Sequence, residues 1–103
     1  MDNNTIIFEY HDVNASDTLE SFTKEKLEAI FTRFDFVHRA DVFFKTENTS
    51  SDETGKKCGI RLSASGPRLF AEASHDTFHD AVSESINELK KQLQKRKEQV
   101  KTY

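Results

Sequence analysis

The 103-residue sequence holds one cysteine, one proline, three glycines and no tryptophan, and it has no long hydrophobic run. With Cys58 alone, no internal disulfide can form, and the residue reads as part of an apolar strand face rather than a reactive thiol. No apolar stretch approaches the ~20 residues needed to cross a bilayer. The start, Met1-Asp2-Asn3-Asn4, lacks the basic and apolar segments of a secretory signal. These absences lead to the expectation of a cytoplasmic chain with no membrane contact.

Catalytic signals are equally sparse. Ser63-Ala64-Ser65-Gly66 lacks the flanking glycines of a nucleophile elbow, and no paired carboxylates or phosphate-cradling glycine loop occurs. His75 and His79 stand four apart, which is half of a metal site. No third ligand accompanies them, and Asp76 and Asp80 are explained by a helix start. The expectation is a non-enzymatic protein without a metal, cofactor or small-molecule substrate.

What is present is nine phenylalanines within 35% hydrophobic and 32% charged residues. That balance fits one globular domain spanning 1–103, with a modest core enlarged by Phe rings. The net charge is −3, but it is unevenly placed. Residues 1–89 carry nine basic and 17 acidic side chains, whereas 90–103 carry six basic and one acidic, a local balance of +5. A basic end on an acidic body points to a polyanionic partner. The helix macrodipole favours cations at a helix C-terminus as well, with or without a ligand.

Residues 5–10 are β-rich and predict a first strand. Ser16 or Asp17 can cap a helix, with Glu20 completing a capping box after Asp17. Leu19, Phe22, Leu27, Ile30, Phe31 and Phe34 then recur at helical spacing, so the helix is predicted over about 17–34. From 39 to 47 the period becomes two, with Ala40, Val42, Phe44 and Thr46 on one side and Asp41, Phe43, Lys45 and Glu47 on the other. The polar run 48–55 reads as a loop.

A third strand follows, with Cys58, Ile60, Leu62 and Ala64 inward and Arg61 and Ser63 outward. Ser65-Gly66-Pro67 marks a hairpin turn. The fourth strand places Leu69, Ala71 and Ala73 inward and Arg68, Phe70 and Glu72 outward. The last helix is predicted from about Asp76, as its cap, to Lys101. Its apolar stripe is Phe78, Val82, Ser85, Ile86, Leu89, Leu93 and Val100. Its length of roughly 37 Å implies that its last two or three turns project past the sheet.

The element order β-α-β-β-β-α is therefore an α+β fold. A right-handed crossover makes the first two strands parallel, an antiparallel meander follows, and both helices cover one face of a four-stranded mixed sheet.

Three stretches resemble the ribosome hibernation promoting factors, also called ribosome-associated inhibitor or sigma-54 modulation proteins. They are Ala40-Asp41-Val42-Phe43-Phe44-Lys45-Thr46-Glu47, then Leu69-Phe70-Ala71-Glu72-Ala73, and finally Thr77-Phe78-His79-Asp80-Ala81-Val82 with Leu89-Lys90-Lys91-Gln92-Leu93-Gln94-Lys95-Arg96-Lys97. The resemblance covers about Ile6 to Lys101 and is to the short type, which lacks the extra C-terminal domain of long members. It implies a fold similar to a double-stranded-RNA-binding domain. It also implies a factor that binds the small ribosomal subunit and its rRNA near the decoding region, blocks mRNA and tRNA, and idles translation under stress or in stationary phase.

Two surfaces are candidates for the contact. Lys90, Gln94, Lys97 and Lys101 share one helix stripe, Lys91 and Lys95 form a neighbouring i, i+4 pair, and Arg96 belongs to the same basic run. Such cations neutralise phosphates without demanding fixed geometry. The open sheet face should present Phe43, Lys45, Arg61, Arg68 and Phe70, where aromatics between cations can stack bases. The bland alternatives for that face are a Phe43–Phe70 cluster that only stabilises the sheet, or a patch for weak self-association of a monomer. A protein-interaction module using this face is the second reading of function.

Overall fold

The computed structural model describes residues 4–47 and 55–101, with side chains up to Glu98. Most of the loop expected over 48–55, and the side chains of Val100 and Lys101, lie outside the described residues. The elements are β1 (Thr5–His11), α1 (Asp17–Arg33), β2 (Val37–Thr46), β3 (Lys56–Ala64), β4 (Leu69–His75) and α2 (Phe78–Lys101). The sheet order is β1-β2-β3-β4, with β1 parallel to β2 and the other neighbours antiparallel. The expected α+β topology is therefore the observed one. Both helices pack on a single face, α1 against β2 and α2, and α2 against β3 and β4.

The local chemistry explains the boundaries of α1. Ser16 adopts an extended backbone (φ −136°, ψ 117°) and its hydroxyl accepts from the Leu19 amide at 3.2 Å. That bond satisfies one of the amides a helix start leaves free. Asp17 and Glu20 in the first turn and Arg33 in the last complement the helix dipole. Leu19, Leu27 and Ile30 are buried as expected, while Phe22 and Phe31 are only partly so. Thr23 joins the buried stripe although it is polar. Its hydroxyl donates to the Leu19 carbonyl at 2.8 Å, which makes the burial tolerable.

The start of α2 corrects one expectation. Asp76 is not its cap; Thr77 is, with its hydroxyl accepting from the Asp80 amide at 3.1 Å. Both residues can cap a helix, and register decides, because Phe78 then enters the aromatic core at the first helical position. The β2 alternation also starts earlier and ends sooner than expected. Val37 is already buried, an irregularity between Val37 and Arg39 resets the phase, and Thr46 is exposed rather than inward.

The core's centre is Phe44, fully buried on β2. Phe8 stacks on it at 6.2 Å, Tyr10 lies tilted at 5.5 Å, and Phe78 meets it edge-on at 5.6 Å, so β1, β2 and α2 converge on one ring. Aromatic pairs at such separations add roughly 0.5–1.5 kcal/mol each beyond their buried area. Above this cluster the Tyr10 hydroxyl donates to the Glu20 carboxylate and ties β1 to α1. Removal from water, followed by this hydrogen bond, raises the Tyr10 pKa to about 12. Cys58 is buried on β3, and burial pushes its thiol up to about 12, so it behaves as a small apolar residue.

Candidate nucleic-acid interface

The second half of α2 is fixed to the body along two sides. On the β4 side, Gln92 Nε2 donates to the Phe70 carbonyl at 3.0 Å, using a backbone group that the edge strand leaves free. On the α1 side, Arg33 Nη2 donates to Gln94 Oε1 at 3.0 Å. The Lys97 ammonium sits 5.8 Å from the Phe34 ring centroid, and the Arg33 guanidinium 5.0 Å from the same ring. Further on, Arg96 Nη1 donates to the Ser65 carbonyl at 3.3 Å. Gly66 holds φ 96° in that turn, a backbone conformation other residues adopt only with strain.

These anchors correct the expectation that two or three basic turns project. Leu93 is fully buried, and the helix stays on the body through Lys97. The sheet alone would have been too short to support it. The C-terminal end of α1 and the β3–β4 turn extend the platform.

The cations divide as the helical spacing requires. Lys91 and Lys95 are exposed, whereas Lys90, Arg96 and Lys97 are half-buried. Lys101 closes the helix, with its side chain outside the described residues. None of Lys90, Lys91, Lys95, Arg96 and Lys97 forms an ion pair with a described carboxylate. In an acidic protein, five cations within eight residues form a concentrated positive field.

The open sheet face is mixed in sign. Phe43, Lys45 and Arg61 lie on it as expected, with Glu9, Asp41 and Glu72 among them. Arg68 is exposed but precedes β4, in the turn rather than on the strand. Phe43 and Phe70 stack at 6.4 Å and 17°, across the intervening strand β3. Gly59 makes this possible, since a Cβ there would stand 2.1 Å from the Phe43 ring. Phe70 remains 41% exposed and Ile7 37%.

Several partners on this face were not expected. Lys57 reaches Glu72 at 3.4 Å and Glu47 at 3.8 Å, and Arg39 forks onto Asp41 with a closest approach of 3.0 Å. The expected third strand names Arg61 and Ser63 as its outward residues and does not place Lys57. Carrying the same alternation back past Cys58 puts Lys57 on the outward side. Lys45 and Arg61 form no ion pair with a described residue.

Among the described residues no group of three or more His, Cys, Asp or Glu side chains could hold a metal. His75 instead meets Glu84 at 2.7 Å, and His79 packs against the Phe22 ring at 4.6 Å. No described helix is long and apolar enough to cross a membrane.

The fold is a two-layer β-α-β-β-β-α domain of the α+β class, with five cations between Lys90 and Lys97 on its last helix that pair with no described carboxylate. Comparison with known proteins narrows this. The family model described as sigma 54 modulation protein / S30EA ribosomal protein matches residues 6–101, and the chain belongs to that family. No curated protein matches it.

Among solved structures it is similar to a ribosomal subunit interface protein from Coxiella burnetii. The TM-score is 0.76 at 22% identity, covering 90% of this chain and 97% of that one. It is also similar to the N-terminal domain of Thermus thermophilus Protein Y, with a TM-score of 0.69 at 14% identity, covering 92% of this chain and 98% of the other. At these identities the two likenesses establish the fold.

Proposed function

We propose that this protein is a non-enzymatic, cytoplasmic ribosome-binding factor. It docks the basic end of α2 on rRNA of the small subunit near the decoding region, and by occupying that site blocks mRNA and tRNA and holds translation idle. The observation that carries this reading is the cluster Lys90, Lys91, Lys95, Arg96 and Lys97, which forms no ion pair with a described residue, on an otherwise acidic chain. Family membership and the likeness to a ribosomal subunit interface protein support the choice of partner. Lys101 extends the same contact. Lys45, Arg61 and the Phe43–Phe70 stack offer a second, weaker contact to unpaired bases, with Arg68 at its rim.

Phosphate neutralisation makes the reading testable by salt. With roughly five phosphate contacts, log affinity for RNA should fall against log salt with a slope of about −3.5 to −4.5. A second reading, a protein-interaction module on the open face, is favoured by the exposure of Phe70 and Ile7. It calls for a nearly flat salt dependence instead, and that result would reject the RNA reading.

A further inference from the structure

Where α1 ends and α2 passes the β3–β4 turn, a half-open cavity of about 540 Å³ is lined by residues that include Arg33, Asp35, Phe36, Ser65, Arg96 and Lys97. That volume suits a small ligand rather than a single ion. Three cations face one carboxylate, so the cavity is positive. Each cation is held by a neutral partner: Arg33 by Gln94, Arg96 by the Ser65 carbonyl and Lys97 by the Phe34 ring. They are positioned without being neutralised.

Phe36 is half-buried and edge-on to Phe34 at 6.0 Å and 73°, which locks its orientation while part of it lines the cavity. An aromatic surface beside converging cations, with one acceptor to the side, matches the parts of a nucleotide. The base has a π-face and amino donors, and the phosphate is an anion.

We propose that this cavity takes one nucleotide unit of a bound RNA strand. The base lies against Phe36, and the phosphate sits among Arg33, Arg96 and Lys97. Asp35 accepts from a base amino group and, by repelling phosphate, fixes the orientation. This deepens the RNA-binding reading and rests on it. The exposed pair Lys91 and Lys95 then supplies strand affinity from outside, while the cavity holds one unstacked residue. An apolar ligand would take water from three cations without offering a counter-charge, and a carboxylate-bearing peptide would make no use of the Phe36 face.

The test uses the full chain and amide NMR titrations with adenosine monophosphate, adenosine, inorganic phosphate and a short single-stranded RNA. Adenosine monophosphate is expected to give saturable shifts at Phe36, Ser65 and Arg96, and to bind about tenfold more tightly than phosphate alone, as base stacking on one ring supplies. Arg96→Gln should weaken it about fivefold. Phe36→Leu, which keeps an apolar side chain in place, should erase the advantage over phosphate.

Absence of shifts at these amides, or equal binding to Arg96→Gln, overturns the proposal. If the monophosphate binds there without displacing the RNA strand, the cavity serves free nucleotides and the RNA subsite is rejected. RNA affinity separates the two levels of inference. Loss on Lys91→Gln with Lys95→Gln but not on Arg96→Gln leaves RNA binding standing and removes the cavity. No loss in either variant removes both.

Discussion

Replacing Lys90, Lys91, Lys95 and Lys97 together by glutamine is expected to weaken RNA binding by about three orders of magnitude near ~0.1 M salt. The salt slope should flatten by about 3 to 3.5. The estimate follows from four lost phosphate contacts at roughly 0.7–0.9 of a released counterion each. Glutamine keeps helix propensity, and none of the four lysines forms an ion pair with a described residue, so α2 should persist. Among the four, Lys97 has the one cation–π contact seen with a described residue, its approach to the Phe34 ring, and exposed cation–π pairs are worth about 0.5–1 kcal/mol. Affinity measured across a salt series, beside a thermal melt of the same variant, separates a binding defect from a folding defect. An unchanged slope in a folded variant would remove the helix from the interface.

The largest expected stability effect is at the opposite end of the molecule. Phe44→Ala should cost about 3–5 kcal/mol, the usual range for emptying a buried aromatic site. Phe44 is fully buried and three further rings, Phe8, Tyr10 and Phe78, contact it from two other elements. The cavity could close only if a strand and a helix moved together. For a domain of this size the loss corresponds to roughly 15–30 °C in melting temperature. Against a typical stability of about 5–15 kcal/mol, it leaves the variant near the edge of folding. Phe70→Ala, on the exposed side of the sheet, should move the melt by only a few degrees. A comparison of the two melts checks that the core lies on the helix-covered face alone.

The strands and helices were legible in the sequence because their periods are clean. Ala40, Val42 and Phe44 alternate with polar neighbours, and Val82, Ile86, Leu89 and Leu93 follow helical spacing. The misreadings fell where two residues compete for one role. Asp76 and Thr77 can both cap α2, and only the demand that Phe78 reach Phe44 decides between them. The basic cluster was legible as charge, but its geometry was not. Arg96 meets the Ser65 carbonyl from 31 positions away, and Arg33 meets Gln94 from 61, contacts that no local pattern encodes. The positive cavity beside Phe36 was invisible for the same reason, since its lining comes from three separate parts of the chain. The stack of Phe43 on Phe70 depended on Gly59 in the strand between them, a glycine with no turn to announce it.

The proposed function has the cationic end of α2 seating this protein on the small ribosomal subunit. Sedimentation of a cell extract through a density gradient, with the protein followed by fraction, tests it most directly. The protein is expected to travel with small subunits at low salt and to return to the top of the gradient as salt rises or when the four lysines become glutamine. A protein that stays at the top at every salt concentration, or that remains with the subunits after the lysines are replaced, would contradict it.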